Sequence, residues 1–176
     1  DGYHQLQTLF ELVDLYDELT FTTNDAGRIE LVNHTAPWPA DSDLTVRAAR
    51  LLQPHADSRV NRQPGIEPGG KPGVEIEIRK RIPAGAGLGG GSSDAATTLL
   101  ALNHYWGVGL NQDQLAKLGL QLGADVPVFI YGKSAWAEGV GEQLTGVELP
   151  HSWYLIVVPE CHVNTAEVFA AEELTR

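Results

Sequence analysis

The chain has 176 residues, 43% apolar and 20% charged, with a formal net charge of −11; that is ordinary globular composition, enough for one domain with a core or one domain and part of another. No apolar run approaches the length of a membrane span, and so acidic a chain has little Lys and Arg with which to neutralise nucleic-acid phosphates, so neither membrane nor nucleic acid is an expected partner. Cys161 is the single cysteine; an intrachain disulfide is excluded, a structural zinc site has no support without a C-x-x-C or a His pair at ligand spacing, and a reducing, cytoplasmic compartment is the natural reading.

The chain contains no Met, opens on Asp1-Gly2-Tyr3-His4 and stops inside an apparent helix, and it therefore reads as a fragment of a longer polypeptide. The apolar positions of residues 6–15 fit strand or helix equally, and 18–23 reads as a strand. Asp25-Ala26-Gly27 is a turn, 29–32 is extended again, and 37–43 is loop. Ser42 is a candidate N-cap for a helix whose Leu44, Val46, Ala48, Leu51 and Leu52 form a buried stripe. Residues 54–72, rich in Pro, Gly and polar side chains, read as a surface loop.

Val74, Ile76 and Ile78 alternate with Glu75, Glu77 and Arg79, the period-two pattern of a strand with one wet face. Ser92 or Ser93 is the expected cap of the next helix, over about 92–105, which Gly107 and Gly109 end. A second helix starts near Asn111 or Gln112 and runs to Gly123. Residues 128–131 are expected as a short buried strand, and 136–141 as extended structure bending at Gly139 and Gly141. Residues 153–158, almost wholly apolar, are expected as a central strand, followed by a helix capped at Asn164. A boundary near 145–152 divides an N-terminal domain, residues 1–148, from the start of a second, residues 149–176.

Between the alternating strand and the helix lies Lys80-Arg81-Ile82-Pro83-Ala84-Gly85-Ala86-Gly87-Leu88-Gly89-Gly90-Gly91-Ser92-Ser93-Asp94, with five glycines in a short loop. Glycine lets main chain approach an anion closely, and the helix N-terminus presents free N–H groups and a favourable dipole. The loop therefore predicts a nucleotide or other polyphosphate. It lacks the Gly-Lys-Ser/Thr ending of a P-loop. Gly85, Gly87 and Gly90 satisfy the dinucleotide pattern G-x-G-x-x-G, but two helices follow in succession where that fold requires a second strand. The net negative charge makes binding local: loop amides and a divalent cation have to overcome long-range repulsion of the polyphosphate.

The segment from Pro83 to Ala96 resembles the phosphate loop of the GHMP kinases (galactokinase, homoserine kinase, mevalonate kinase and phosphomevalonate kinase), which has the form P-x-x-x-G-L-G-S-S-A. Gly123-Ala124-Asp125-Val126-Pro127-Val128-Phe129 resembles the segment carrying their catalytic aspartate. Asp1-Gly2-Tyr3-His4-Gln5-Leu6-Gln7-Thr8-Leu9-Phe10 is similar to the start of those members that phosphorylate a CDP-linked methylerythritol, on the methylerythritol phosphate route to isoprenoids.

The resemblance spans essentially the whole chain. It implies an α+β, two-domain architecture with an N-terminal nucleotide domain like ribosomal protein S5 domain 2 and an incomplete C-terminal domain. It implies ATP as phosphoryl donor, Mg²⁺ as its companion and a small CDP-linked alcohol as acceptor, with a homodimer as the assembly to test. Residues 83–93 would hold the ATP phosphates, with a serine hydroxyl reaching Mg²⁺; no residue is assigned as a protein metal ligand. Lys80 resembles a contact near the nucleotide and reads equally as a solvated strand-end charge. Asp125 matches the catalytic carboxylate, whereas on its local sequence it reads first as a helix-cap or turn aspartate.

The resemblance also assigns the cytidine end of the substrate. Tyr3 stacks on the base, His4 hydrogen-bonds it, Phe169 stacks from the other side, and Thr165 is a further contact. Phe169 alone reads as core packing and Thr165 as a helix-cap residue. Two family features are missing from these residues: a first strand with a P-A-K-L-N-type lysine beside the catalytic aspartate, and a C-terminal third glycine-rich motif. Asp43 stands where relatives commonly offer an asparagine near the adenine. Another small-alcohol kinase of the family, or a non-catalytic nucleotide-binding fragment, are the alternatives.

Overall fold

A computed structural model describes residues 7–34, 38–56, 70–139 and 143–159. In chain order the strands are β1 (Thr8–Phe10), β2 (Glu18–Asn24), β3 (Ile29–Leu31), β4 (Gly73–Arg79), β5 (Ala135–Glu138) and β6 (Gln143–Gly146). The helices are α1 (Leu44–Leu52), α2 (Gly90–Tyr105), α3 (Gln112–Gly119) and α4 (Val126–Tyr131). The strands form two three-stranded sheets, ordered β2-β4-β3 and β1-β5-β6.

Strand β4 sits in the middle of the first sheet because its alternation gives it one face to bury. It pairs antiparallel with β2, Phe21 opposite Ile76, and parallel with β3, Leu31 also opposite Ile76. Val74 and Ile76 are fully buried with Ala48, Ala49 and Leu52 of α1 and Ala95, Ala96, Leu99 and Leu102 of α2. Each Val, Ile or Leu among them contributes about 1.5–3 kcal/mol through burial. Glu75 and Glu77 stand on the opposite face, less buried. The sheet thus holds the exit of β4 and the start of α2 at one end of a common core.

The second layer of contacts positions α4. A Cβ added at Gly119 would come within 2.7 Å of Val126 Cγ1 and 3.0 Å of Ile130 Cδ1, so glycine permits α3 and α4 to approach this closely. Strand β5 lies between β1 and β6, with Ala135 and Ala137 buried and Trp136 partly exposed.

Several local expectations are corrected. Residues 128–131 are not a strand but part of α4: Pro127 occupies the first turn, where its missing N–H costs nothing and its φ suits the helix. The cap of α1 is Asp43, whose carboxylate accepts from the Thr45 amide at 2.9 Å, while Ser42 donates its hydroxyl to the Pro39 carbonyl. Helix α2 begins at Gly90 and is capped by Gly89 with φ of 67°, not by Ser92 or Ser93. Helix α3 ends at Gly119 and continues in turns to Leu122. Residues 6–15 contain only the short strand β1 within the described part.

The run 153–158 is not a central strand. Trp153 and Leu155 are 93% and 91% exposed, and no strand among the described residues pairs with them. An apolar run becomes a strand only where a neighbour supplies the ladder. Tyr154 nevertheless donates its hydroxyl to the Glu11 carboxylate, which ties this segment to the connection after β1. Most of the loop 54–72, Gly141 and the expected helix after Asn164 lie outside the described residues.

Candidate active site

The glycine loop leaves β4 and folds back so that its last residue caps α2. Gly85, Gly87 and Gly89 all take positive φ, at 73°, 72° and 67°, a region closed to most side chains. At Gly89 the need is double, since a Cβ there would lie 2.8 Å from the Phe129 ring of α4. The first intrahelical bond of α2 runs from the Ser93 amide to the Gly89 carbonyl at 2.8 Å. The amides of Gly90, Gly91 and Ser92 therefore have no intrahelical acceptor, and no side chain caps them. They form an anion-seeking end of a sixteen-residue helix.

Two cavities meet at this loop. One, of about 990 Å³, lies between the loop and the β3–α1 region, with Asn33, His34, Trp38, Asp43 and Lys80 in its wall. The other, of about 570 Å³, lies between the loop and α4, with Ser93, Thr97, Asp125, Phe129 and Tyr154 in its wall. Gly87, Leu88 and Gly89 border both. A ligand with phosphates on the loop can thus extend its body into the larger cavity and present its end to the smaller.

Asp125 occupies the N-cap position of α4 but makes no capping bond, so its carboxylate is not consumed by the role its local sequence suggests. Burial pushes its pKa above the ordinary carboxylate value. The turn before it is close to the phosphate helix: a Cβ at Gly123 would lie 3.7 Å from Ser92 Oγ.

Lys80 is not a merely solvated charge. Its ammonium donates to Asp17 at 2.5 Å and to Asp94 at 2.8 Å. Burial pushes the Asp94 carboxyl up, to about 6, against the pull of the Lys80 ammonium and with help from the nearby Asp17 charge. Burial also opposes ionisation of Asp17, but bonds from Lys80 and from the Ile82 and Arg81 amides outweigh it and hold its pKa below the ordinary value. Lys80 is likewise desolvated, yet its two carboxylate partners raise its pKa.

The structure brings Lys80, residues 83–93 and Asp125 together around the two cavities. Tyr3, His4, Thr165 and Phe169 lie outside the described residues. Sequence reading missed Asp17 and Asp94. Asp94 carried a signal, a carboxylate beside Ala95 and Ala96 on the inward stripe of α2, where an unpaired charge would be costly. Asp17 carried none, being 63 residues from the lysine it binds.

Comparison with known proteins shows likeness in sequence and in fold. The profile of the GHMP kinases N terminal domain matches residues 43–133. Over its full length the chain is 57% identical to 4-diphosphocytidyl-2-C-methyl-D-erythritol kinase of Nitrosococcus oceani, of which it covers 59%, and 53% identical to that of Methylococcus capsulatus, of which it covers 56%. The chain thus spans a little over half the length of these curated relatives. A crystal structure of 4-(cytidine 5'-diphospho)-2C-methyl-D-erythritol kinase superposes with a TM-score of 0.66 at 42% identity, over 85% of this chain and 48% of that one. The homoserine kinase of Cytophaga hutchinsonii, at 20% identity and a TM-score of 0.60, covers 90% of this chain and 52% of its own, and shares the fold.

Proposed function

Because this chain belongs to the GHMP kinase family, we propose that the protein transfers the γ-phosphoryl group of ATP to the 2-hydroxyl of 4-diphosphocytidyl-2-C-methyl-D-erythritol, a step toward isoprenoid precursors. The observation that carries this reading is the glycine loop shared by two cavities, with Asp125 in the second. ATP lies with its base in the larger cavity and its phosphates on the amides of residues 85–92. The acceptor alcohol enters the smaller cavity, where the Asp125 carboxylate orients the hydroxyl and takes its proton. A carboxylate whose pKa is raised by burial is a better base near neutral pH than an ordinary one. Transfer of this kind depends chiefly on positioning and on stabilising charge.

Mg²⁺ prefers hard oxygen ligands and commonly keeps waters and substrate phosphates beside one or two protein oxygens. The Ser92 and Ser93 hydroxyls, in the cavity walls beside the loop, fit that pattern. When bound, the ion would neutralise phosphate charge. Tyr3, His4, Thr165 and Phe169 hold the cytidine end. Residues 1–148 form the ATP-binding domain and 149–176 begin the substrate domain, a division supported by the absence of any strand among the described residues 147–159 that follow β6. The reading includes a cytoplasmic location and a homodimer.

The test is ADP release by the intact protein with ATP and alternative acceptors. Turnover dependent on the CDP-linked methylerythritol, with none on mevalonate or homoserine, is expected. Turnover on either of the latter alone would assign a sibling activity. ATP binding without turnover on any acceptor would point to a non-catalytic nucleotide-binding protein.

A further inference from the structure

Lys80 and Asp94 stand at opposite ends of the glycine loop, the lysine one residue past β4 and the aspartate in the second turn of α2. Their 2.8 Å ion pair closes the loop across its base. Asp17, from the entry to β2, reinforces the same point. One of its oxygens accepts from the Lys80 ammonium, and the other from the main-chain amides of Arg81 and Ile82, at 2.5 and 2.8 Å. Both carboxylates are almost wholly enclosed, with side-chain exposures of 1% for Asp17 and 6% for Asp94, whereas Lys80 remains 41% exposed. The ammonium lies 3.4 Å from where a Gly90 Cβ would be, beside the free amides of α2.

We propose that Asp94 and Asp17 are positioning residues for phosphate binding, acting through Lys80 and the loop main chain as a strap that fixes the spacing between the end of β4 and the start of α2. A glycine-rich segment has more conformational freedom to lose than any other on ordering. Tying its two ends removes part of that freedom before ligand arrives, and preorganisation of this kind appears as affinity. Two enclosed carboxylates beside an anion site also oppose the ligand electrostatically. Val74 and Ile76 of β4 already share one buried core with Ala95, Leu99 and Leu102 of α2, so the effect of the ion pairs falls on the loop between the two elements. The inference rests on the phosphate-binding reading of the loop.

The experiment measures binding of a non-hydrolysable MgATP analogue to the intact protein by calorimetry, with steady-state kinetics alongside. Asp94→Ala removes the α2 end of the strap, leaving Lys80 with Asp17 alone, and should raise the Kd for the analogue at least ~10-fold. Its KM for ATP should rise in step, with kcat at saturating ATP and KM for the alcohol little changed. Asp94→Asn retains a carbonyl acceptor for the ammonium and should bind within a few-fold of wild type. Should Asp94→Ala not fold, Asp94→Ser, too short to reach Lys80, takes its place. Hydrogen exchange of amides 84–92 without ligand should quicken in the Ala or Ser variant. Wild-type affinity in that variant, unchanged exchange in the loop, or an Asn variant as weak as Ala would each overturn the strap. A wild-type protein that binds no nucleotide would instead overturn the kinase reading and the strap with it.

Discussion

At the scale of single residues the account turns on Asp125, Gly89 and the three charged groups at the loop base. Asp125 heads α4 without capping it and shares the wall of the smaller cavity with one other carboxylate, Glu11, which accepts from the Tyr154 hydroxyl. Asp125→Asn keeps the shape and removes the proton acceptor, so kcat should fall at least ~10²-fold while nucleotide affinity holds. Near-normal turnover would remove Asp125 from the mechanism. The pH dependence has a definite sign. Only the ionised form accepts a proton, and burial raises the pKa, so the acid limb of kcat/KM should lie above the ordinary carboxylate value of about 3.9. Measuring kcat/KM from acid to neutral pH checks this, and a limb at or below that value would contradict it. Asp125 was legible only through resemblance, since the local sequence Ala124-Asp125-Val126-Pro127 suits a helix start equally well. Within the Asp17–Lys80–Asp94 cluster only the inward place of Asp94 on α2 left a local trace, and the pairing itself was illegible because ion pairs across sheet and helix leave no spacing rule in the chain.

At the scale of elements, the glycine loop and α2 were the most legible part, because strand alternation, glycine density and an apolar helical stripe are strong local signals. The cap of α2 was misplaced by three or four residues. Serine is the usual cap, and nothing local announces that Gly89 in the left-handed region takes that position. The misreading of α4 has a similar cause. Six mostly apolar residues fit a buried strand or a buried helix, and Pro127 reads as a breaker unless it is known to stand in a first turn. Gly89→Ala tests the loop as an element. The substitution forces a side chain into positive φ and against Phe129, displacing both the loop and the head of α4. Nucleotide Kd should rise at least ~10-fold and the thermal midpoint should fall, since strain of this kind is worth roughly 1–3 kcal/mol. Calorimetry and a melting curve are the measurements, and wild-type values for both would show that the loop is not held as described.

At the scale of the whole molecule, the α+β class was legible through the family resemblance, whereas the division into two small sheets was not, because strand partners are chosen across long separations. The exposed run 153–158 shows the same limit from the other side: its apolar content predicted burial, but burial depends on what packs against it. The net charge of −11 sets a constraint on any polyphosphate ligand that the loop amides must meet locally. The most direct measurement is a crystal structure of the intact protein with a non-hydrolysable ATP analogue and Mg²⁺. The account predicts phosphates on the amides of residues 85–92, the base in the larger cavity, and the terminal phosphate facing the Asp125 carboxylate. An analogue bound away from the glycine loop, or one whose terminal phosphate points away from Asp125, would contradict it.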